Sequence, residues 1–170
     1  KKVNSTYIMQ ETRQFDWKKY IGECLESTYY CALGTNDKEG VWVNPVYFAY
    51  DSDYNFYFIS QPHSRHMKNM AENPQVSLAI YSTAQDTQGD VAGIQLVGRA
   101  RILTEEVDVK KAYDTYYGRK YPDTRRHPKK GEDPYINNPG WQFVEVVPVK
   151  MYYFDTRFFG ETRQEVPLPL

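Results

Sequence analysis

The sequence lacks several features that would point to large classes of function. It has no apolar run near the roughly 20 residues that a membrane-spanning helix needs. Its formal net charge of −1 gives it no long-range field that would draw it to nucleic acid or anionic lipid. We therefore expect neither a nucleic-acid partner nor a membrane partner, and any basic binding site must be local.

Cysteine and histidine are also scarce. Cys24 falls on a predicted helix and Cys31 on a predicted strand, without CxxC spacing. With no recognisable signal peptide, this pattern favours a cytoplasmic protein with reduced, buried thiols over a disulfide or a metal site. The three histidines show no metal-ligand spacing, so we predict no bound metal. The sequence contains no Walker or Rossmann glycine pattern and no assignable Ser-His-Asp set, and the catalytic residues therefore stay unknown.

Aromatic residues are abundant. They make up 16% of the 170 residues, which favours a β-rich protein because aromatic side chains suit pleated surfaces. The length allows a single domain, residues 1–170, with a sizeable core. After a helix capped by Asp16, alternating and apolar stretches predict a meander of three strands at 29–35, 41–50 and 54–60, joined by short turns.

The rest of the chain continues this pattern. A helix from about Ser64 must end before Asn73-Pro74, and strands follow at 76–80 and 94–102. A helix is predicted from Thr104, and Pro148 divides two last strands at 141–147 and 149–155. Residues 1–14 are expected to be loosely ordered and 118–140 to form a long loop. Six or seven strands with peripheral helices predict a mainly β, antiparallel barrel.

The segment 58–69 carries the clearest chemical signal. An apolar strand ends at Ser60, and a helix then begins near Ser64 with Arg65, His66 and Lys68 in its first turns. Hydroxyl groups, cations and free helix N–H groups suit a phosphate. The alternative is an ordinary helix start with solvated cations.

Three short segments together resemble the pyridoxamine 5′-phosphate oxidase-like family of FMN-binding split barrels. They are Phe58-Ile59-Ser60 followed by Ser64-Arg65-His66, then Asn73-Pro74 before a strand, and finally Leu96-Val97-Gly98-Arg99-Ala100. The resemblance extends from about residue 29 to residue 155. It implies a split β-barrel that forms a homodimer, with FMN at the subunit interface. The implied activity is flavin-dependent hydride transfer to or from a small organic molecule at flavin N5.

The resemblance also implies roles for individual residues. Arg65 and His66 would bind the phosphate of FMN, with Ile59 and Ser60 at the end of the preceding strand. Ser64 would cap the helix and lie near the phosphate. The strand backbone at Val43, Asn44, Pro45 and Val46 would face the flavin ring, and Gln95 would reach it from the fifth strand. The alternative for Gln95, which shares a face with Arg99 and Arg101, is a solvated or subunit-facing surface. Pro45 cannot donate a ladder hydrogen bond, so its strand is expected at a sheet edge or at a bulge; simple barrel-corner geometry is the alternative reading.

The sequence departs from true pyridoxamine phosphate oxidases at several positions. Asn44 stands where those enzymes have an arginine, Ala49 where they have a lysine, and their C-terminal Trp and Arg signature is missing. These differences favour a general flavin-binding relative. They leave open a non-catalytic flavin carrier or sensor, a relative that uses F420 or haem, and an interaction domain that has lost its ligand.

A basic cluster lies within the predicted long loop, at Arg125, Arg126, His127, Lys129 and Lys130. Such a charge run usually forms a solvated loop. The alternative is a lid over an anionic substrate or over the cofactor of a partner subunit.

Overall fold

A computed structural model describes residues 15–85, 89–120 and 138–170. Its elements follow the chain in this order: α1 Trp17–Glu26, β1 Tyr30–Asp37, β2 Gly40–Tyr47, β3 Ala49–Tyr50, β4 Phe56–Ser60, α2 Arg65–Glu72, β5 Gln75–Tyr81, β6 Ala92–Ile102, α3 Glu106–Lys120, β7 Gln142–Asp155, α4 Thr156–Phe159 and β8 Arg163–Glu165. None of the helices in these ranges is both long enough and apolar enough to cross a membrane.

All eight strands belong to one antiparallel sheet. Its order is β2-β1-β5-β6-β7-β4-β3, and β8 pairs with β7. The two terminal strands of this order, β2 and β3, are separated in the chain by Phe48 alone. Because one residue joins the two ends of the path, the sheet must curl until its ends meet. The result is a split half-barrel with helices around it, which confirms the predicted fold class.

Arg119 holds the connection between β2 and β3. Its guanidinium donates to the carbonyl of Phe48 at 2.9 Å and to that of Thr28 at 2.8 Å, and it also bonds the carbonyl of Leu25. The same group lies 4.4 Å from the centre of the Phe48 ring. The Phe48 N–H donates to Tyr29 at 3.1 Å. The last turn of α3 therefore stabilises Phe48, the residue at which the chain leaves the pairing with β1 and begins the pairing with β4.

The core has two parts. The larger part fills the curled sheet under α1 and α2 and includes Ile21, Leu33 and Met67, which are 0–1% exposed. The smaller part lies between α3 and the outer side of β3, β4 and β7, where Ala112 packs with Tyr57 and Phe143. Both parts follow from alternation along the strands, because successive side chains point to opposite faces of a sheet.

The pairing of β6 with β7 contains a register shift next to Pro148. Val97 faces Lys150 whereas Gly98 faces Pro148, so Val149 has no opposite residue. The sequence predicts two strands divided at Pro148. The structure shows one strand with a bulge, because a bulge accommodates the missing N–H of proline without ending the pairing.

Other boundaries also differ from the prediction. The predicted strand 41–50 is two strands, since Phe48 leaves one pairing for another. The described residues contain eight strands instead of six or seven, because β3 is short and β8 carries no clear alternation. Helix α3 runs to Lys120, inside the stretch predicted as a loop. The predictions for residues 1–14 and for most of the loop 118–140 lie outside the described residues.

Several local predictions are confirmed. Asp16 caps α1 through a hydrogen bond from the Lys19 N–H at 3.1 Å. Pro45 lies on β2, which is an edge strand, as the missing N–H requires. Cys24 and Cys31 are buried, and this burial raises the pKa of each thiol to about 12. Neither thiol is ionised at neutral pH.

Gly98 is required by the close approach of β7 at the bulge. A Cβ on Gly98 would lie 2.8 Å from the Val147 carbonyl oxygen and 2.8 Å from a methyl of Val146, whereas a Cβ on Gly22 would meet nothing within 4 Å. We expect Gly98→Ala to lower the free energy of unfolding by about 1–3 kcal/mol. The control, Gly22→Ala in α1, should raise it by roughly 0.5–1 kcal/mol. Equal effects of the two variants in urea denaturation would contradict this account.

Replacement of Arg119 tests how far the fold depends on its three carbonyl contacts. Arg119→Met leaves the carbonyls of Leu25, Thr28 and Phe48 without this donor, and we expect a loss of roughly 2–4 kcal/mol in the free energy of unfolding. Arg99 is exposed on β6, so Arg99→Met should change stability by less than about 0.5 kcal/mol. A similar loss in both variants, measured by chemical denaturation, would show that the contacts contribute little.

Candidate functional site

The end of β4 and the start of α2 bring three polar side chains together. Ser60 is the last residue of β4, and α2 begins at Arg65 after a four-residue turn. The Ser60 Oγ lies 2.6 Å from the His66 Nε2, and the Ser64 Oγ lies 3.3 Å from the same nitrogen. The two serine oxygens are 3.4 Å apart. We call Ser60, Ser64 and His66 the hydroxyl–imidazole cluster.

The imidazole of this cluster is neutral at physiological pH. His66 is 6% exposed, and burial lowers its pKa because the charged ring is poorly solvated there. Its ring nitrogens make hydrogen bonds only to Ser60 and Ser64 among the described residues. The Ser60–His66 pair therefore lacks the third, orienting group of a nucleophilic triad. The arrangement therefore suits the binding of a ligand better than nucleophilic attack by Ser60 on a ligand.

Ser64 occupies the position before the first residue of α2 but does not cap the helix through its side chain. The prediction that Ser64 caps α2 is therefore wrong in this respect. The reason is that its hydroxyl turns toward His66 and Ser60. The first N–H groups of α2 are left without a side-chain acceptor, although a helix start carries N–H groups that need one.

Arg65 lies beside the cluster and uses little of its hydrogen-bonding capacity. Its Nη2 donates to the Asp37 Oδ1 at 3.4 Å, a long contact. The guanidinium lies 4.8 Å from the centre of the Trp42 ring. Its Nε is shielded from solvent and has no hydrogen-bond partner. A guanidinium has five N–H donors, so Arg65 holds an unused donor at a shielded position.

Residues 43–46 lie on the edge strand β2. In the register of β1 and β2, Asn44 and Val46 face Leu33 and Cys31, whose side chains point into the barrel. Val43 points to the outer face of the sheet and is 60% exposed. Because β2 ends the sheet order, part of its backbone has no ladder partner, and this backbone is available to a ligand.

Gln95 lies on another part of the sheet. It is exposed on β6 and pairs with Ala79 of β5, which in turn pairs with Ala32 of β1 and, beyond it, Pro45 of β2. Gln95 and Val43 both line one shallow depression on the outer face of the sheet. The predicted residues thus form two groups. One surrounds the hydroxyl–imidazole cluster and includes Arg65 and the neighbouring Ile59. The other lies on the outer face and includes Gln95, Val43 and Pro45, while Asn44 and Val46 point into the barrel from β2.

Sequence reasoning missed three residues that contact this site. The sequence places Asp37 only in the turn between the first two predicted strands, and it indicates no role for Trp42 or Asn69. With the Asn69 amide assigned so that both its oxygen and its nitrogen have partners, the oxygen accepts from the Thr35 hydroxyl at 3.0 Å and the NH₂ donates to the Arg65 carbonyl at 2.9 Å and to the Asp37 Oδ2 at 2.8 Å. The only sequence signal that could have indicated this contact is an asparagine placed four positions, about one helical turn, after Arg65.

Two further predictions concern metal binding and the basic loop. No group of three or more His, Cys, Asp or Glu residues that could hold a metal ion occurs within 15–85, 89–120 and 138–170. Arg125, Arg126, His127, Lys129 and Lys130 lie outside the described residues, so the structure bears on neither reading of that loop.

Comparison with known proteins connects this geometry to a family. The family model described as pyridoxamine 5′-phosphate oxidase matches residues 18–152, well over half of the chain. No curated protein matches the sequence.

Similar solved structures show the same fold at low identity. A conserved hypothetical protein of Mycobacterium tuberculosis is 19% identical, with a TM-score of 0.66 over 98% of this chain and 97% of that one. An FMN-binding, pyridoxamine 5′-phosphate oxidase-related protein of Nostoc punctiforme is 14% identical, with a TM-score of 0.61 over 88% and 90%. A heme-binding protein of Mycobacterium smegmatis is 15% identical, with a TM-score of 0.63 over 84% and 54%.

Burial of His66 makes the stability of the protein depend on pH. A base whose pKa falls on folding binds fewer protons in the folded state, so its contribution is complete above the unfolded pKa of about 6.5 and is lost as pH falls through the lower folded pKa. We expect the free energy of unfolding to decrease from pH 7.5 to 5.5, and His66→Gln to weaken this decrease. The carboxylates whose pKa is lowered, such as Asp155, change the free energy of unfolding only at more acidic pH, where they become protonated.

The matched control is His63→Gln, since His63 is exposed on the turn before α2. Urea denaturation at the two pH values should give the same pH dependence for this variant as for the unsubstituted protein. A pH dependence that His66→Gln leaves unchanged would contradict the assignment.

Proposed function

The chain belongs to the pyridoxamine 5′-phosphate oxidase family, and on this premise we propose that it binds FMN and acts as an oxidoreductase on a small organic molecule. The family has relatives that bind FMN and one that binds heme. The proposal rests on a single observation in this chain, which is the unused, shielded Nε donor of Arg65 beside an uncapped helix start.

The groups around α2 fit the phosphate of FMN. Ser60 and Ser64 each carry a rotatable O–H that can donate to a phosphate oxygen. Arg65 offers a planar cation with several unused donors, and the first turn of α2 offers backbone N–H groups. His66 holds both serine oxygens in place through its Nε2. Hydroxyls, one guanidinium and free amides form the donor set that a phosphate requires.

The edge strand β2 provides a place for the flavin ring. In the proposed complex, the free backbone groups of residues 43–46 hydrogen-bond the polar edge of the ring and fix its orientation. Bound FMN would supply the redox chemistry, namely hydride transfer at its N5, while the protein would supply binding, orientation and electrostatics. Because the flavin would carry the redox step, the side chains of the hydroxyl–imidazole cluster need not act as a general acid or base.

A homodimer is part of the proposal. The outer face of the sheet exposes several large apolar side chains, with Val43 60% exposed, Tyr30 61%, Tyr81 51% and Val97 37%. Extensive exposed apolar surface usually marks an interface. A second copy on this face would bury it and would bring Gln95 of one subunit toward a site of the other. Two-fold symmetry then gives two sites per dimer.

Other cofactors and a non-catalytic role are the competing functions. A tightly bound flavin without turnover would indicate a carrier or sensor, whereas F420 or haem would each give a visible spectrum different from that of FMN. A colourless protein that does not bind added FMN would indicate a domain that has lost its ligand. The absorbance spectrum of the purified protein, followed by mass analysis of the heat-released ligand, separates these functions.

Substitution of Arg65 tests the phosphate assignment directly. We expect Arg65→Ala to weaken FMN binding by roughly tenfold to a hundredfold, because hydrogen bonds to a charged group contribute about 1.5–3 kcal/mol. The melting temperature should change little, since the Arg65 side chain is 36% exposed and makes one long ion pair. Affinity is measured by quenching of flavin fluorescence.

The matched control is Lys68→Ala, which removes a cation from the exposed side of the same helix. This variant should bind FMN within about twofold of the unsubstituted protein. Equal affinities for Arg65→Ala and the unsubstituted protein would refute the phosphate site.

A further inference from the structure

We propose that Asp37 is an internal counter-ion that competes with the cofactor's phosphate for Arg65 and so lowers the affinity of the site. This inference rests on the proposed function, because it concerns the same phosphate site. It adds a residue that sets affinity, and this residue lies at the end of β1, outside the segments that resemble the family.

Asp37 is fixed in place independently of Arg65. Its Oδ1 accepts from the Glu39 N–H at 2.8 Å, and its Oδ2 accepts from the Asn69 amide at 2.8 Å. These two donors come from the β1–β2 turn and from α2, which are both parts of the folded framework. The carboxylate therefore stays beside Arg65 whether or not a ligand is bound.

The carboxylate is charged at neutral pH. Partial burial disfavours its ionisation, but the Glu39 N–H and the Arg65 guanidinium outweigh this effect and hold the pKa of Asp37 below its usual range. Among the ten residues that the family resemblance assigns to the cofactor, Arg65 is the one permanent cation, and Asp37 partly neutralises it. A phosphate that enters this site therefore meets less positive charge than Arg65 alone would offer.

The ion pair is weak enough for a ligand to compete with it. It consists of one contact of 3.4 Å, and the Arg65 side chain is 36% exposed. Exposed pairs of this kind contribute little, because water and salt screen them. If Arg65 leaves Asp37 for the phosphate, the pair is lost; if Arg65 keeps both, Asp37 repels the phosphate. Removal of the Asp37 charge strengthens binding in either case.

The test compares the affinity of Asp37→Asn with that of the unsubstituted protein for FMN and for riboflavin, which has no phosphate. We expect Asp37→Asn to bind FMN about twofold to fivefold more tightly and riboflavin with unchanged affinity. Glu39→Gln is the matched control, because Glu39 is an exposed carboxylate in the same turn without a side-chain contact to Arg65 among the described residues. It should leave the FMN affinity within about twofold.

The variant is compatible with the fold. An asparagine at position 37 keeps an oxygen for the Glu39 N–H, and its NH₂ can donate to the Asn69 Oδ1 once that amide rotates, at the loss of the bond from Asn69 to the Arg65 carbonyl. In the rotated orientation, the Asn69 Nδ2 donates to the Thr35 hydroxyl at 3.0 Å. A melting temperature within a few degrees of that of the unsubstituted protein checks this point.

A double substitution isolates the competition for Arg65. In an Arg65→Ala background, Asp37→Asn should change the FMN affinity less than it does alone, since the Arg65 guanidinium for which Asp37 and the phosphate compete is absent. An equal gain in both backgrounds, or an equal gain from Glu39→Gln, would overturn the proposal in favour of a general charge effect. Weaker FMN binding by Asp37→Asn would overturn it by showing that Asp37 positions Arg65 for the ligand.

The outcomes also separate this inference from the proposed function. If the unsubstituted protein binds FMN and Asp37→Asn binds it with the same affinity, only the counter-ion role fails. If neither protein binds FMN or riboflavin, both proposals fail. A gain of FMN binding in Asp37→Asn alone would support both.

Discussion

The structure depends on the single-residue connection at Phe48 between two strands that lie at opposite ends of one sheet. Because β2 pairs with β1 while β3 pairs with β4, the chain can pass from one to the other only if the sheet curls. Arg119 stabilises this connection, since its guanidinium donates hydrogen bonds to three carbonyl groups from three segments of the chain. The same curl leaves β4 unpaired beyond Tyr57 on the side facing β2. The split in the barrel is therefore a direct consequence of how the barrel closes.

The candidate site lies at this split, and its chemistry follows from burial. Helix α2 covers the mouth of the barrel, so His66 is buried and neutral and holds two serine hydroxyls instead of carrying a charge. Arg65, one residue earlier, points away from the core and keeps its charge. Its counter-ion, Asp37, comes from the far end of β1. One turn of helix thus presents a neutral hydroxyl cluster and a cation that is only partly neutralised.

The two groups of predicted residues are separated within one subunit for a geometric reason. Gln95 and Val43 point outward from the sheet, whereas the hydroxyl–imidazole cluster lies at the end of β4 under α2. Three strand pairings separate Gln95 from β2. In the proposed homodimer, a second subunit would bring the two groups together, and the exposed apolar side chains of the outer face support that proposal.

The sequence determined the β-rich architecture, most strand positions and the segment that starts α2, because these depend on local alternation, capping and the absence of an N–H in proline. It also indicated Ser60, Arg65 and His66 through adjacent positions in the chain. Only the tertiary structure decided that Ser64 turns to His66 instead of capping α2, and that Asp37 and Asn69 contact the site. It alone placed Arg119 at the Phe48 connection between β2 and β3. Apart from the contacts of Ser64 and the bond from Asn69 to Arg65, these contacts join residues 28 to 94 positions apart. Their partners are set by the curl of the sheet, which no local pattern encodes.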